Sequence, residues 1–182
     1  MESVTHLARA LHGFAAVVAR IADPDAAPTR CEGWTVADVV GHVIAVTDRF
    51  TAFAAASPSP SSPSPSPDLA TAVRRSAAWR SADGADGRRL SLSFGTFDAA
   101  TAAAVNAFDA LVHGWDVAAA NGIAYEPDAD LVAAATAVAE RLVWQEQQYR
   151  RPPPHATPAT PLERLLVVTG RGPEARGLPS RP

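Results

Sequence analysis

An alanine-rich run between Asp98 and Gly122 constrains this chain more than any other stretch. It reads as one long helix, with Asp98 as its cap and Asn121-Gly122 as a left-handed stop. At 100° per residue, positions three and four apart share a helix face. Asn106, Asp109, His113 and Asp116 therefore form a polar stripe, beside an apolar one of Val105, Phe108, Val112 and Trp115. A carboxylate and an imidazole at i, i+4 can grip one metal ion from a single helix, as inward-facing ligands do in bundles. The same spacing also suits an ordinary Asp–His surface pair. The rest of the chain has to be read around this helix.

Leu7, Leu11, Phe14, Val17, Val18 and Ile21 recur at helical spacing and predict a first amphipathic helix over residues 3–22. His6 and His12 on it are six apart, a poor spacing for a shared ligand face, and read as partly solvated. Asp23-Pro24-Asp25 and Pro28 interrupt the chain. Thr35 with Asp38 then resembles a capping box, opening a second helix whose Val36, Val39, Val43, Val46, Phe50 and Phe53 form a core stripe. Trp34 suits a hydrophobic staple, and Cys31 reads as a small buried packing residue rather than a nucleophile. His42 lies at the flank of the stripe. It is either a satisfied core histidine or a ligand, with one ring nitrogen on a metal and the other on an acceptor.

Residues 57–67 alternate serine and proline, which allows neither helix nor ladder and predicts an extended crossover loop. A shorter helix fits residues 68–82, with Leu69, Ala72, Val73, Ser76 and Trp79 inward, ahead of the turn residues Asp83-Gly84-Ala85-Asp86-Gly87. Residues 89–94 alternate like a strand, but with no evident partner they read as an extended loop. From Pro127 and Asp128 another helix carries Leu131, Val132, Ala135, Val138, Leu142, Val143 and Trp144 toward Arg151. Thr160-Pro161-Leu162-Glu163 caps a last short helix that stops at Gly170. Everything from Arg171 on reads as a loose tail. His155, in a proline-rich loop, is a poor ligand candidate.

Composition narrows the function. With 182 residues the chain is most simply one domain, over 1–172, with a flexible tail over 173–182. A net charge of −3 with no basic tract gives no case for nucleic acid. Cys31 is the single cysteine, which excludes an intrachain disulfide and a cysteine-based zinc site. No apolar run approaches a membrane span, and no signal peptide is evident, so a cytoplasmic, membrane-free protein is expected.

Three blocks taken together carry a resemblance: Cys31-Glu-Gly-Trp34-Thr-Val-x-Asp38-x3-His42; Asp109-x3-His113-Gly-Trp115-Asp116-x-Ala118 with Gly122; and Leu162-x-Arg164-Leu-Leu-x2-Thr169-Gly-Arg171. They resemble the actinobacterial DinB-like metal-binding proteins, relatives of the N-terminal domain of mycothiol-dependent maleylpyruvate isomerase. The resemblance implies an all-α, DinB-like four-helix bundle with a long crossover connection, here joined by a short additional C-terminal helix. It also implies a metal triad of His42, Asp109 and His113, with Asp109 standing where many relatives carry Glu or His.

Three protein ligands leave coordination positions open, as in catalytic rather than structural zinc. The expected cofactor is a divalent metal, zinc before nickel or iron, and possible use of mycothiol follows from the resemblance. The leading expectation is a metal-dependent isomerase or S-transferase in which a bound thiol is activated for attack on an electrophilic or carboxylated small molecule. Asp116 or Asn106 would orient His113 or a bound water, and Arg49, two turns from His42, would anchor an anionic substrate. Two alternatives stay open: a hydrolase or lyase using metal-bound water with Asp116 as base, and a non-catalytic metal or small-molecule binding module. Monomer and homodimer are equally compatible with the sequence.

Overall fold

The computed structural model describes residues 2–54, 65–78, 89–92, 95–142 and 158–171. Its elements in order are α1 (Glu2–Val18), α2 (Val36–Ala54), α3 (Leu69–Arg75) with a 3-10 turn (Ser76–Ala78), a hairpin of β1 (Arg89–Leu92) and β2 (Gly95–Asp98), α4 (Ala99–Ala120), α5 (Ala129–Leu142) and α6 (Pro161–Val168). The protein is mostly helical, as the resemblance implies.

Helix α4 is the centre of the fold. It is buried almost all round, and its alanines let α1 approach closely along its length. Helix α2 covers another side of α4, and α3 bridges α2 and α1, closing a ring of four helices. Outside that ring, α5 lies on α4, and α6 packs on α5. The core joins Leu7, Leu11 and Phe14 of α1 to Val36, Val39, Val43 and Phe50 of α2 and to Phe108, Leu111 and Val117 of α4.

Local signals placed the helix starts well. Asp38 accepts from the Thr35 backbone N–H at 2.8 Å, and Thr35 Oγ1 accepts from the Asp38 N–H at 3.3 Å, completing the capping box before α2. Asp98 caps α4 through the Thr101 N–H, and Thr160 with Glu163 forms a second box before α6. Gly122, at φ 64°, supplies the left-handed residue that ends α4. Among the described residues, no helix is long and apolar enough to cross a membrane.

Several expectations are corrected. The 89–94 segment does have a partner: Arg89, Leu90, Ser91 and Leu92 pair antiparallel with Asp98, Phe97, Thr96 and Gly95. His6 is buried, 6% exposed, with Nε2 3.4 Å from Asp130 on α5, so it is not partly solvated. The first helix ends at Val18, and α3 at Arg75 before its 3-10 turn. Most of the Ser-Pro loop lies outside the described residues, as do Trp79, the expected turn over 83–87, the expected helical stretch from Val143 toward Arg151, His155 and the tail beyond Arg171.

Candidate metal centre

The polar stripe of α4 meets α2 at His42. Its Nε2 lies 3.3 Å from Asp109 Oδ1, and His113 Nε2 lies 3.6 Å from the same oxygen. One ligand atom from each of His42, Asp109 and His113 falls within 4.8 Å of the other two. The two imidazoles meet edge to face with centroids 4.9 Å apart. Three side chains separated by up to 71 positions in sequence thus converge on one point, the expected triad included in full. Asp109 Oδ2 is buried and has no hydrogen-bond partner among the described residues, which leaves that oxygen available to a further partner.

The electrostatics of the pair are mutual. The hydrogen bond to Asp109 raises the pKa of His42, against the opposing effect of burial. Burial pushes Asp109 upward, but the neighbouring His113 and the His42 hydrogen bond outweigh it and hold the carboxyl below its ordinary value. The donor set of two imidazoles and one carboxylate, without sulfur, matches the ligand chemistry of a catalytic divalent ion.

Around His113 sits a second layer that sequence reasoning did not assemble. His113 Nδ1 is 3.1 Å from Asp116 Oδ2; an ionised carboxylate only accepts, so Nδ1 donates and Nε2 keeps its lone pair for the triad. The Asp116 side chain is 1% exposed and accepts from Arg171 at both oxygens, Nε to Oδ1 at 2.8 Å and to Oδ2 at 3.1 Å and Nη2 to Oδ2 at 3.0 Å. Burial alone would raise Asp116, yet the His113 hydrogen bond and the Arg171 guanidinium hold it below the usual carboxylate range. Arg171 is therefore not part of a loose tail. The buried Thr169 and the left-handed Gly170, at φ 73°, end α6 and turn the arginine inward.

Cys31 joins this layer, donating its thiol hydrogen to Asp116 Oδ2 at 3.3 Å and lying 3.6 Å from His113 Nδ1. Burial, then the charge of Asp116, pushes the thiol up to about 12, so it stays protonated at neutral pH. The sequence reading of an inert cysteine agrees with that protonation, although the residue is half-buried beside a histidine rather than packed in the core. Cys31, His113 and Asp116 also lie close enough to hold an ion. Arg171 argues against this set, because a guanidinium already neutralises Asp116 through both oxygens.

A tight loop carries Cys31 and Trp34 to the site. Gly33 adopts φ 77°, a conformation other residues rarely take, and the Trp34 N–H closes the turn on Cys31 O at 3.1 Å. The loop is tied to the end of α4 by the Arg30 N–H on Asp116 O and by Asn121 Nδ2 on Pro28 O. Trp34 is not a staple. It is 41% exposed and stands over both histidines, 5.4 Å from the His42 ring and 6.5 Å from that of His113. Arg49 is exposed two turns beyond His42. Asn106 is buried and makes no hydrogen bond to His113 or to any other described residue, so it does not orient that ring.

Comparison with known proteins agrees with this architecture. Two relatives, both uncharacterized proteins of Mycobacterium tuberculosis, from strain CDC 1551 / Oshkosh and strain ATCC 25618 / H37Rv, are each 30% identical over 148 residues, 79% of this chain and 80% of the relative. No solved structure matches. The family model for the mycothiol maleylpyruvate isomerase N-terminal domain matches residues 4–118, a span running from α1 through the whole of the triad and Asp116. The chain belongs to that family.

Proposed function

We propose that His42, Asp109 and His113 hold one divalent ion, zinc first, in a metal-dependent isomerase or S-transferase that uses a thiol such as mycothiol. The observation that carries this reading is the convergence of three ligand atoms from α2 and α4 on one point, with Asp109 Oδ2 unpaired among the described residues. Family membership supports the thiol and a small-molecule substrate. When bound, a divalent ion supplies the positive charge that lowers the pKa of a coordinated thiol.

The protein's own groups do the rest. Asp116 accepts the Nδ1 proton of His113 and fixes the ring with Nε2 toward Asp109, while Arg171 holds Asp116 ionised and in place. Trp34 packs against the rings of both histidines. Arg49 is proposed as the anchor for a carboxylated substrate at the outer flank of α2. Asp116 accepts from His113, Cys31 and Arg171 at once, and its lowered pKa makes it a weak base. This suits a positioning role better than that of the general base a hydrolase needs.

Elemental analysis of the purified protein tests the reading. Wild type is expected to carry close to one ion per chain, and His42→Ala and His113→Ala to carry almost none while remaining folded. Thiol-dependent turnover of electrophilic substrates by the loaded protein is the matching activity. A reconstituted wild type that binds no divalent ion contradicts the proposal.

A further inference from the structure

Trp34 is the one large apolar side chain among the described residues that is exposed, at 41%. A single exposed apolar residue is ordinary on a protein surface. This one is set apart by where it stands and by how firmly it is held. Its ring centroid lies 5.4 Å from that of His42 and 6.5 Å from that of His113, two of the three side chains of the triad. The His42 side chain is itself 32% exposed. Indole and imidazole are therefore neighbours that both keep part of their surface open, which is the room a ligand needs.

The backbone on either side of Trp34 is pinned. Its N–H closes the turn at Gly33 on Cys31 O at 3.1 Å, and its carbonyl lies 3.0 Å from the Thr29 hydroxyl, which also accepts from the Cys31 N–H at 3.0 Å. Next in sequence, Thr35 pairs with Pro28 in an isolated bridge, and the Val36 and Ala37 N–H groups donate to Ala27 O at 3.0 Å and Pro24 O at 2.9 Å. Hydrophobic burial alone would draw an indole into the core. The loop holds it at the surface beside the triad instead. A ring held this way offers a large contact area with little freedom left to lose on binding, which is why tryptophan is prominent on recognition surfaces.

We infer that Trp34 is a specificity-determining residue, contacting a flat apolar group, such as an aromatic ring, carried by the ligand that reaches the metal. The inference rests on the reading of His42, Asp109 and His113 as a metal site, and adds the residue that selects the group held next to the ligating atom. Its chemistry is that of the indole. A flat π surface packs on a second flat ring in offset or edge-to-face contact and gains more from it than from apolar burial alone. A saturated ring of similar size gains only the burial.

Cobalt-substituted protein titrated with 2-phenylethanethiol and 2-cyclohexylethanethiol tests this, because the two carry rings of similar size at the same distance from sulfur. The sulfur-to-cobalt absorption band reports binding. Wild type is expected to favour the phenyl thiol about fivefold, the size of one aromatic pair contact. In Trp34→Leu, which keeps an apolar side chain but removes the flat ring, the preference is expected to fall below about twofold with cobalt content unchanged. Trp34→Phe is expected to retain most of it. Equal binding of the two thiols by wild type, or a preference that survives Trp34→Leu, overturns the inference. Loss of cobalt from either variant does so too, because the indole is then a prop for the histidines.

A second readout comes from the ring itself. In zinc-loaded wild type, acrylamide quenching of tryptophan fluorescence is expected to fall when 2-phenylethanethiol binds, and to stay unchanged in Trp34→Phe. No change in wild type, or an equal fall in Trp34→Phe, overturns the contact. If wild type takes up neither cobalt nor zinc, the metal reading fails, and this inference with it. Lost selectivity on a metal-loaded protein sinks the role of Trp34 alone.

Discussion

Two clusters in this protein are built from the same residue types and do different things. In one, His6 and Arg9 of α1 meet Asp130 of α5 and the neighbouring Asp128; Arg9 pairs with Asp130 at 2.6 Å and also with Asp128. In the other, His113, Asp116 and Arg171 form an equivalent histidine, aspartate and arginine set. In the first, Asp128 and Asp130 are exposed, and water competes for every bond. In the second, Asp116 is sealed in the core and spends its two oxygens on the guanidinium, the imidazole and the Cys31 thiol. Composition is the same; burial separates a surface latch from a group that can set the tautomer of a metal ligand.

The sharpest way to break that contrast is to remove each arginine. Arg171→Ala leaves the buried Asp116 carboxylate without its guanidinium and is expected to cost about 3 kcal/mol in denaturant unfolding. Cys31 sharpens it next. With the thiol pushed up from 9.0 to about 12, alkylation by iodoacetamide at pH 8 is expected to be about a thousandfold slower than for an unperturbed cysteine, and normal in denaturant. Asp116→Asn preserves shape but can present an NH2 to His113 Nδ1. It is expected to weaken zinc binding by roughly 10–100-fold with little change in fold, read by competition with a chelator.

The pH dependence of the metal-free protein is smaller. His42 has a raised pKa, so its contribution to stability is full below the ordinary imidazole value of 6.5 and is lost as pH rises through the folded value. Asp109 is lowered, so its contribution is full above 3.8 and is lost as pH falls. Melting temperature against pH should therefore fall as pH rises above 6.5 in wild type and less so in His42→Ala. Zinc should remove that fall, because it binds the deprotonated rings. Smallest of all, Arg9→Ala is expected to leave the melting temperature unchanged within error, since the carboxylates it leaves behind are solvated. If Arg9→Ala and Arg171→Ala were equally damaging, the distinction between the clusters would collapse.

What could be read from the sequence was what neighbours decide. Thr35 with Asp38, Asp98 with Thr101, and Thr160 with Glu163 bond within four residues, and each was legible as a helix start. The 106, 109, 113 and 116 stripe followed from helical geometry, and His42 stood out because it sits at the edge of an apolar face. That His42 reaches the stripe at all came from the resemblance, since spacing on one helix says nothing about which other helix faces it. Arg171 reaches Asp116 across 55 positions and Cys31 across 85, distances no local pattern spans. The hairpin was missed for a related reason: β2 lies directly against the cap of α4, and its Gly95-Thr96-Phe97-Asp98 reads as a helix lead-in. His6 looked solvated because its burial depends on α5, which begins more than a hundred residues later.

X-ray absorption at the zinc edge, on protein loaded in thiol-free buffer, tests the central claim most directly. The account predicts a first shell of nitrogen and oxygen alone at about 2.0–2.1 Å, with the multiple-scattering signature of two imidazoles from His42 and His113. A sulfur scatterer at about 2.3 Å would contradict it, moving the ion to Cys31, His113 and Asp116 and leaving His42 and Asp109 without the role assigned to them.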